Sequence, residues 1–209
     1  MNQLLKELIG AGVLKNQSII AAFQKIDRKD FVTEECKNEA YLNIPLPIGY
    51  GQTISQPLTV AFMLEILQPE KGHKILEIGS GSGWQTALLS CIVGDPPDGE
   101  GKVFALELIP ELSEFGKKNV AKYNFFKSGT AKFYCFNAAN GMPKEAPFDR
   151  IISAASCQEV PPAWKEQLKI GGRMVVPVKN SLNLFIKKAE SEFERMEFPG
   201  FAFVPFVDK

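Results

Sequence analysis

Apolar positions along the chain first recur at helical spacing and later in short strand-like runs. Leu4, Leu5, Leu8 and Ile9 predict a first helix that Gly10 and Gly12 end. Ile19, Ile20, Phe23 and Ile26 mark one face of a second. Residues 45–57 break the pattern with Pro45, Pro47 and Pro57 and with Gly49 and Gly51. Each proline fixes its own backbone and restricts the residue before it, so no regular structure is expected there. From residue 58 a helix carries Val60, Phe62, Met63, Leu64, Ile66 and Leu67.

Short apolar runs then alternate with helical ones. Strands are expected over 74–78, 103–106, 131–136, 149–153 and 173–177, and helices over 83–92, 111–123 and 162–168. Such alternation implies a parallel sheet covered on both faces. Gly171 and Gly172 read as the end of the 162–168 helix. Two later runs, 182–187 and 201–206, have no helix between them and imply an antiparallel edge. The charged stretch 190–197 that separates them reads as a turn. With no repeat or low-complexity linker, the organisation expected is residues 1–57, helices and a loop packed on the same domain, and residues 58–209, an α/β core.

Composition narrows the function classes. A chain of 209 residues can bury a substantial core. Lys plus Arg (24) balance Asp plus Glu (24) and are interleaved, which argues against a nucleic-acid track or an anionic membrane surface. No apolar run approaches the length of a membrane span. The opening Met1-Asn2-Gln3-Leu4-Leu5-Lys6-Glu7 reads as an amphipathic helix start rather than a targeting segment, so a cytoplasmic location is expected. Cys36, Cys91, Cys135 and Cys157 lie far apart, and Cys91 and Cys135 read as buried free thiols. With His73 the single histidine, no metal site is expected.

Candidate chemistry concentrates in two segments. In the first, the 74–78 strand runs into Gly79-Ser80-Gly81-Ser82-Gly83, whose glycines allow a tight turn with amides open toward a ligand. A dinucleotide site would need a third glycine where Trp84 stands, and a phosphate-binding loop would need Gly-Lys-Ser/Thr. Glu77 before the turn, and Glu107 ending the next strand, where a carboxylate can accept from two ribose hydroxyls, look like an S-adenosylmethionine site. The second segment is Pro45-Leu46-Pro47-Ile48-Gly49-Tyr50-Gly51-Gln52-Thr53-Ile54-Ser55-Gln56-Pro57, a loop bearing hydroxyls.

Taken together, the two segments resemble the protein-L-isoaspartate (D-aspartate) O-methyltransferase family, over about residues 21–207. Ile109-Pro110-Glu111-Leu112, Ile151-Ile152-Ser153-Ala154-Ala155 and Phe203-Val204-Pro205-Phe206 carry the resemblance further, the last read as core and edge strand. The resemblance implies a Rossmann-like class I methyltransferase: a mostly parallel seven-stranded sheet with an antiparallel edge and an N-terminal helical cap. It implies S-adenosylmethionine as cofactor and S-adenosylhomocysteine as product. Cofactor contacts would fall on Glu77, Gly79, Ser80, Gly81, Gly83, Glu107, Leu108, Asn137 and Ala138. Ser55 matches the serine to which the family's catalysis is assigned, with Thr53 beside it.

The reaction implied is repair: methylation of the α-carboxyl of L-isoaspartyl residues in aged proteins, by a monomer with neither nucleic-acid nor membrane partners. Methyl transfer to a carboxylate needs no general base, because the acceptor is already ionised at neutral pH. It needs an anchor and a dry, aligning pocket.

One departure is visible. The family usually has Gly-Asp-Gly after the third strand, and its aspartate meets the adenine amino group. Here the sequence is Phe136-Asn137-Ala138, so Asn137 is expected to accept that bond through its amide oxygen, with the bulkier Phe136 crowding the pocket. Leu108 likewise replaces a residue that is often arginine. Two other readings remain: a methyltransferase of this fold with a different acceptor, and a non-catalytic homologue that holds cofactor weakly. Locally, Thr53 and Ser55 could instead serve as caps of the helix near Pro57.

Overall fold

A computed structural model describes residues 2–94 and 101–207; residues 95–100, within the 94–101 insertion whose role the sequence leaves open, lie outside the described residues. Helices α1 (Asn2–Gly10) and α2 (Gln17–Lys25) come first, then strands β1 (Leu46–Gly49) and β2 (Gln52–Ile54) and helix α3 (Pro57–Leu67). The core follows as β3 (Lys74–Ile78), α4 (Trp84–Val93), β4 (Lys102–Glu107), α5 (Pro110–Ala121) and β5 (Ala131–Cys135). It closes with β6 (Phe148–Ser153), α6 (Pro162–Glu166), β7 (Leu168–Val178), β8 (Ser181–Ala189) and β9 (Glu192–Pro199).

Seven strands form one sheet in the order β5-β4-β3-β6-β7-β8-β9. Strands β5 through β7 pair in parallel, and β8 and β9 add antiparallel. This is the parallel sheet with an antiparallel edge that the pattern implied, in the Rossmann-like arrangement that the resemblance implied. From β3 the chain builds β4 and β5 on one side, then returns to lay β6 on the other. The carboxyl end of β3 is therefore the topological switch point, where open α/β sheets hold their ligands. Leu4, Leu8, Ile19 and Phe23 join the same buried cluster as Leu64 of α3 and Leu88 of α4. Phe23 meets the Trp84 ring edge-on at 5.6 Å.

Four expectations are corrected. Within 45–57, Leu46–Gly49 and Gln52–Ile54 form an antiparallel hairpin. Its turn has Gly49, Tyr50 and Gly51 at φ 91°, 54° and 69°. In a two-stranded ribbon every strand is an edge, and an edge tolerates the donor that Pro47 lacks. The charged stretch 190–197 is largely strand β9: Phe193, Met196 and Phe198 are half-buried while its charges face outward, as charged edge strands do. Residues 201–206 form no strand; Pro205 makes a single bridge to Ser156, and Phe201 stacks on Phe62. Gly171 and Gly172 lie inside β7, so the preceding helix is shorter than expected.

The thiols also differ from expectation, since Cys135 is exposed at the end of an edge strand and Cys91 is only partly buried. No helix among the described residues is long and apolar enough to cross a membrane.

Candidate active site

The glycine turn after β3 is built as its spacing required. Gly79, Gly81 and Gly83 have φ of +77°, +50° and +82°, the left-handed region that glycine enters without a steric cost. The amides of Gly79 and Ser80 both donate to Leu106 O, at 2.9 and 3.1 Å, which fastens the turn to the end of β4. Gly83 is the N-cap of α4, and a Cβ there would lie 2.8 Å from Val120 Cγ2. The close neighbour is α5, whose Gly116 faces the turn: a Cβ on Gly116 would be 2.8 Å from Gly81 O. Gly116 does carry a signal in the sequence, since a lone glycine inside a helix marks close approach.

Glu107 ends β4 on the cleft wall. Its carboxylate accepts from Gly81 N (2.8 Å), Leu108 N (2.8 Å) and Ile109 N (3.0 Å), so three amides fix its direction. Glu77 is placed differently. It is fully buried beneath the turn, accepting from Thr86 Oγ1 at 2.6 Å and Gln85 Nε2 at 3.3 Å. Burial pushes its pKa up to about 7; the bonds from Thr86 and Gln85 oppose the rise, and the charge of Glu107 adds to it. Glu77, Ser80 and Gly83 are not on the cleft wall, whereas Gly79, Gly81, Glu107, Leu108 and Ala138 are. Ser80 is buried, and its hydroxyl has no hydrogen-bond partner among the described residues.

The β1–β2 hairpin closes over this cradle. Ile48, Gln52 and Thr53 line the same cleft, and a Cβ on Gly81 would lie 3.3 Å from Ile48 Cδ1. The lining also includes Ala154 and Ala155, just beyond β6, whose Cβ atoms would lie 4.0 Å from a Cβ on Gly79. The buried Ser153 hydroxyl holds them, donating to Ala155 O at 2.9 Å and accepting from its amide at 3.2 Å. Thr53 thus stands in the cleft. Ser55 lies two residues further on, half-buried and off the wall. Neither caps α3, whose N-cap is Gln56 and lacks a side-chain cap bond.

The residue that holds the loop is Arg28, which no local sequence pattern singles out. Its guanidinium donates to the carbonyls of Ala40, Leu42, Ile44 and Ser55.

Asn137 is also off the cleft wall, between its wall-lining neighbours Phe136 and Ala138. Its Oδ1 accepts from Ala139 N at 2.8 Å, and its Nδ2 donates to Val207 O at 3.1 Å. Leu108 and Phe136 present large apolar side chains to the cleft, each 40% exposed. Val204, Pro205 and Phe206, from the 203–206 segment read as core and edge strand, line the cleft together with Val207.

The family model described as Protein-L-isoaspartate(D-aspartate) O-methyltransferase matches residues 1–209. The chain belongs to that family. It is 43% identical to a Flavobacterium psychrophilum protein-L-isoaspartate O-methyltransferase, over 99% of this chain and 93% of the relative. To the Methanopyrus kandleri protein of the same name it is 40% identical, over 98% of this chain and 90% of the relative. A Plasmodium falciparum structure, described as a beta-aspartate methyltransferase in complex with S-adenosyl-L-homocysteine, superposes with a TM-score of 0.89. At 23% identity over 99% of this chain and 98% of that one, it speaks to the fold alone.

Proposed function

We infer that the chain is an S-adenosylmethionine-dependent protein-L-isoaspartate O-methyltransferase. The observation that carries this reading is the hairpin seated on the glycine turn. With Ile48 over Gly81, and Thr53 and Glu107 lining one cleft, an acceptor and a nucleoside cofactor would meet there.

The residues present fit the cofactor. The turn leaves backbone rather than side chains facing the cleft at Gly79 and Gly81, and Glu107 offers a carboxylate already oriented by three amides. In this reading Glu107 accepts from the ribose hydroxyls, while Leu108, Phe136 and Ala138 pack against the adenine. Glu77, Ser80 and Gly83 shape the turn from behind. The cofactor supplies an electrophilic methyl on a sulfonium.

The chain then needs no base, because an isoaspartyl carboxyl, with a pKa of about 4, is ionised at neutral pH. Its own task is to bind, align and exclude water. Thr53 and Ser55 are proposed to hold the carboxylate through uncharged donors that orient it without protonating it. Thr53 is supported by its place in the cleft, and Ser55 by the Gln52-Thr53-Ile54-Ser55-Gln56-Pro57 match and the anchoring of its carbonyl by Arg28. The same reading takes the enzyme as a cytoplasmic monomer acting on many aged proteins.

The test is incubation with methyl-labelled S-adenosylmethionine and two peptides that differ only in an isoaspartyl or aspartyl linkage. Base-labile label on the isoaspartyl peptide alone is the expected result. Label on both or on neither overturns the reading.

A further inference from the structure

We propose that Asn137 is a latch for the C-terminal segment, rather than a contact for the adenine amino group. The side chain has two polar ends with separate tasks. Its oxygen caps the short 3-10 turn Ala138–Asn140, accepting from Ala139 N at 2.8 Å. An aspartate could make that bond equally well, since both residues are favoured caps. Its nitrogen faces Val207 O at 3.1 Å, and a carbonyl can only accept. A carboxylate at this position would set two acceptors against each other. An amide at position 137 is therefore what the second contact requires.

Among the described residues, the tethered segment has few other backbone holds. Residues 204–207 belong to no strand. Pro205 has no amide to donate. Among the described residues, their remaining backbone bonds are Ser156 N to Val204 O and Phe206 N to Ser156 O, both 2.8 Å. Phe206 meets the Trp164 ring edge-on at 5.2 Å, and Trp164 Nε1 donates to Ala138 O at 2.8 Å. Asn137 thus holds Val207, while Ser156 holds Val204 and Phe206. Val204, Pro205, Phe206 and Val207 line the cleft that also holds Glu107, so holding them is positioning that cleft. Asn137 is a positioning residue, and the adenine side of the cleft is left to apolar packing by Leu108 and Phe136.

The inference rests on the cleft being the cofactor site, but its decisive readout needs no ligand. Hydrogen exchange of the Phe206 amide is compared among the wild type, Asn137→Asp and Asn137→Ser. Serine keeps a capping oxygen and loses the reach to Val207, so it controls for loss of the turn. Loss of one hydrogen bond from a marginally held segment is expected to speed Phe206 exchange by about tenfold in both variants. Exchange in β3 and β4 should stay as in the wild type, which verifies folding. Calorimetry with S-adenosylhomocysteine should show weaker binding by both. Unchanged Phe206 protection overturns the latch, as does Asn137→Asp binding the product as tightly as the wild type or more so. Failure of the functional reading would show separately, as wild-type protein that leaves the isoaspartyl peptide unlabelled.

Discussion

Arg28 Nη2 donates to Ser55 O at 3.1 Å and to Ile44 O at 3.0 Å, while Nη1 reaches Ala40 O at 2.8 Å and Leu42 O at 3.3 Å. One guanidinium thereby ties both ends of the hydroxyl-bearing loop to a single point. It is fully buried and lies over the Trp84 ring, 5.2 Å from the centroid. Burial pushes its pKa down to about 10, so it is still cationic at neutral pH. The carbonyls solvate that charge, and the charge in turn fixes the carbonyls.

Arg28→Lys tests this arrangement without removing the charge. An ammonium is a compact donor and cannot span carbonyls that the planar fork reaches in two directions. Two such carbonyls, buried or partly buried, left unpaired cost about 2–4 kcal/mol together. The urea midpoint of Arg28→Lys is expected to fall accordingly, and turnover to fall even under conditions where the variant is fully folded. A midpoint equal to that of the wild type would mean the loop does not depend on this residue.

Ser55→Ala and Thr53→Val separate two hydroxyls that the motif places side by side. Neither contributes a cap to α3, so neither loss should alter stability much. If Ser55 anchors the acceptor, Ser55→Ala should lower turnover on isoaspartyl peptide by about 100-fold, the scale of a misplaced reactant. Cofactor binding, followed by calorimetry, should survive. Thr53 lines the cleft directly, so a larger effect from Thr53→Val than from Ser55→Ala would move the anchoring role to Thr53.

Gly116→Ala sets two effects of opposite sign against each other. Alanine in a helix interior gains about 1 kcal/mol over glycine. Here the new methyl would sit 2.8 Å from Gly81 O, backbone that cannot swing aside, and 3.0 Å from Cε1 of the Phe133 ring. The clash should win, pushing α5 away from the glycine turn. The expected result is a lower melting temperature and S-adenosylhomocysteine binding weakened by about tenfold or more. A stabilised protein with unchanged affinity would show that the turn tolerates displacement.

What could be read from sequence divides along the distance between partners. The glycine turn and Glu107 follow from local rules: three glycines in left-handed backbone, and a carboxylate at the end of the next strand. Arg28, set among Asp27, Lys29 and Asp30, looks like part of a solvated face. Its meaning lies in carbonyls 12 to 27 residues away, which no local pattern encodes. Asn137 likewise has its second partner 70 residues further on. The hairpin is hidden because Pro47 argues against a strand, and its place in a two-stranded ribbon makes it acceptable. The edge strand β9 was hidden by charges that keep such an edge from pairing further.

Glu77 offers a test of whether the motif's acidic residue is a ligand contact or a buried support. Its carboxyl is raised from 4.5 to about 7 in the folded protein, chiefly by burial. The native state therefore holds its proton more tightly than the unfolded chain. Stability is fully present below pH 4.5 and is lost as pH rises to about 7, beyond which the loss is complete. The slope in that window is at most about 1.4 kcal/mol per pH unit. Glu77→Gln keeps size and neutrality and removes the titration. Urea midpoints measured at about pH 5 and pH 8 should fall for the wild type relative to Glu77→Gln. Equal pH trends in the two proteins would put the folded carboxyl back at its ordinary value. Because Glu77 is off the cleft wall, the variant should retain S-adenosylhomocysteine binding, whereas Glu107→Gln, on the wall, should weaken it. A loss in Glu77→Gln as large as that in Glu107→Gln would make Glu77 a contact after all.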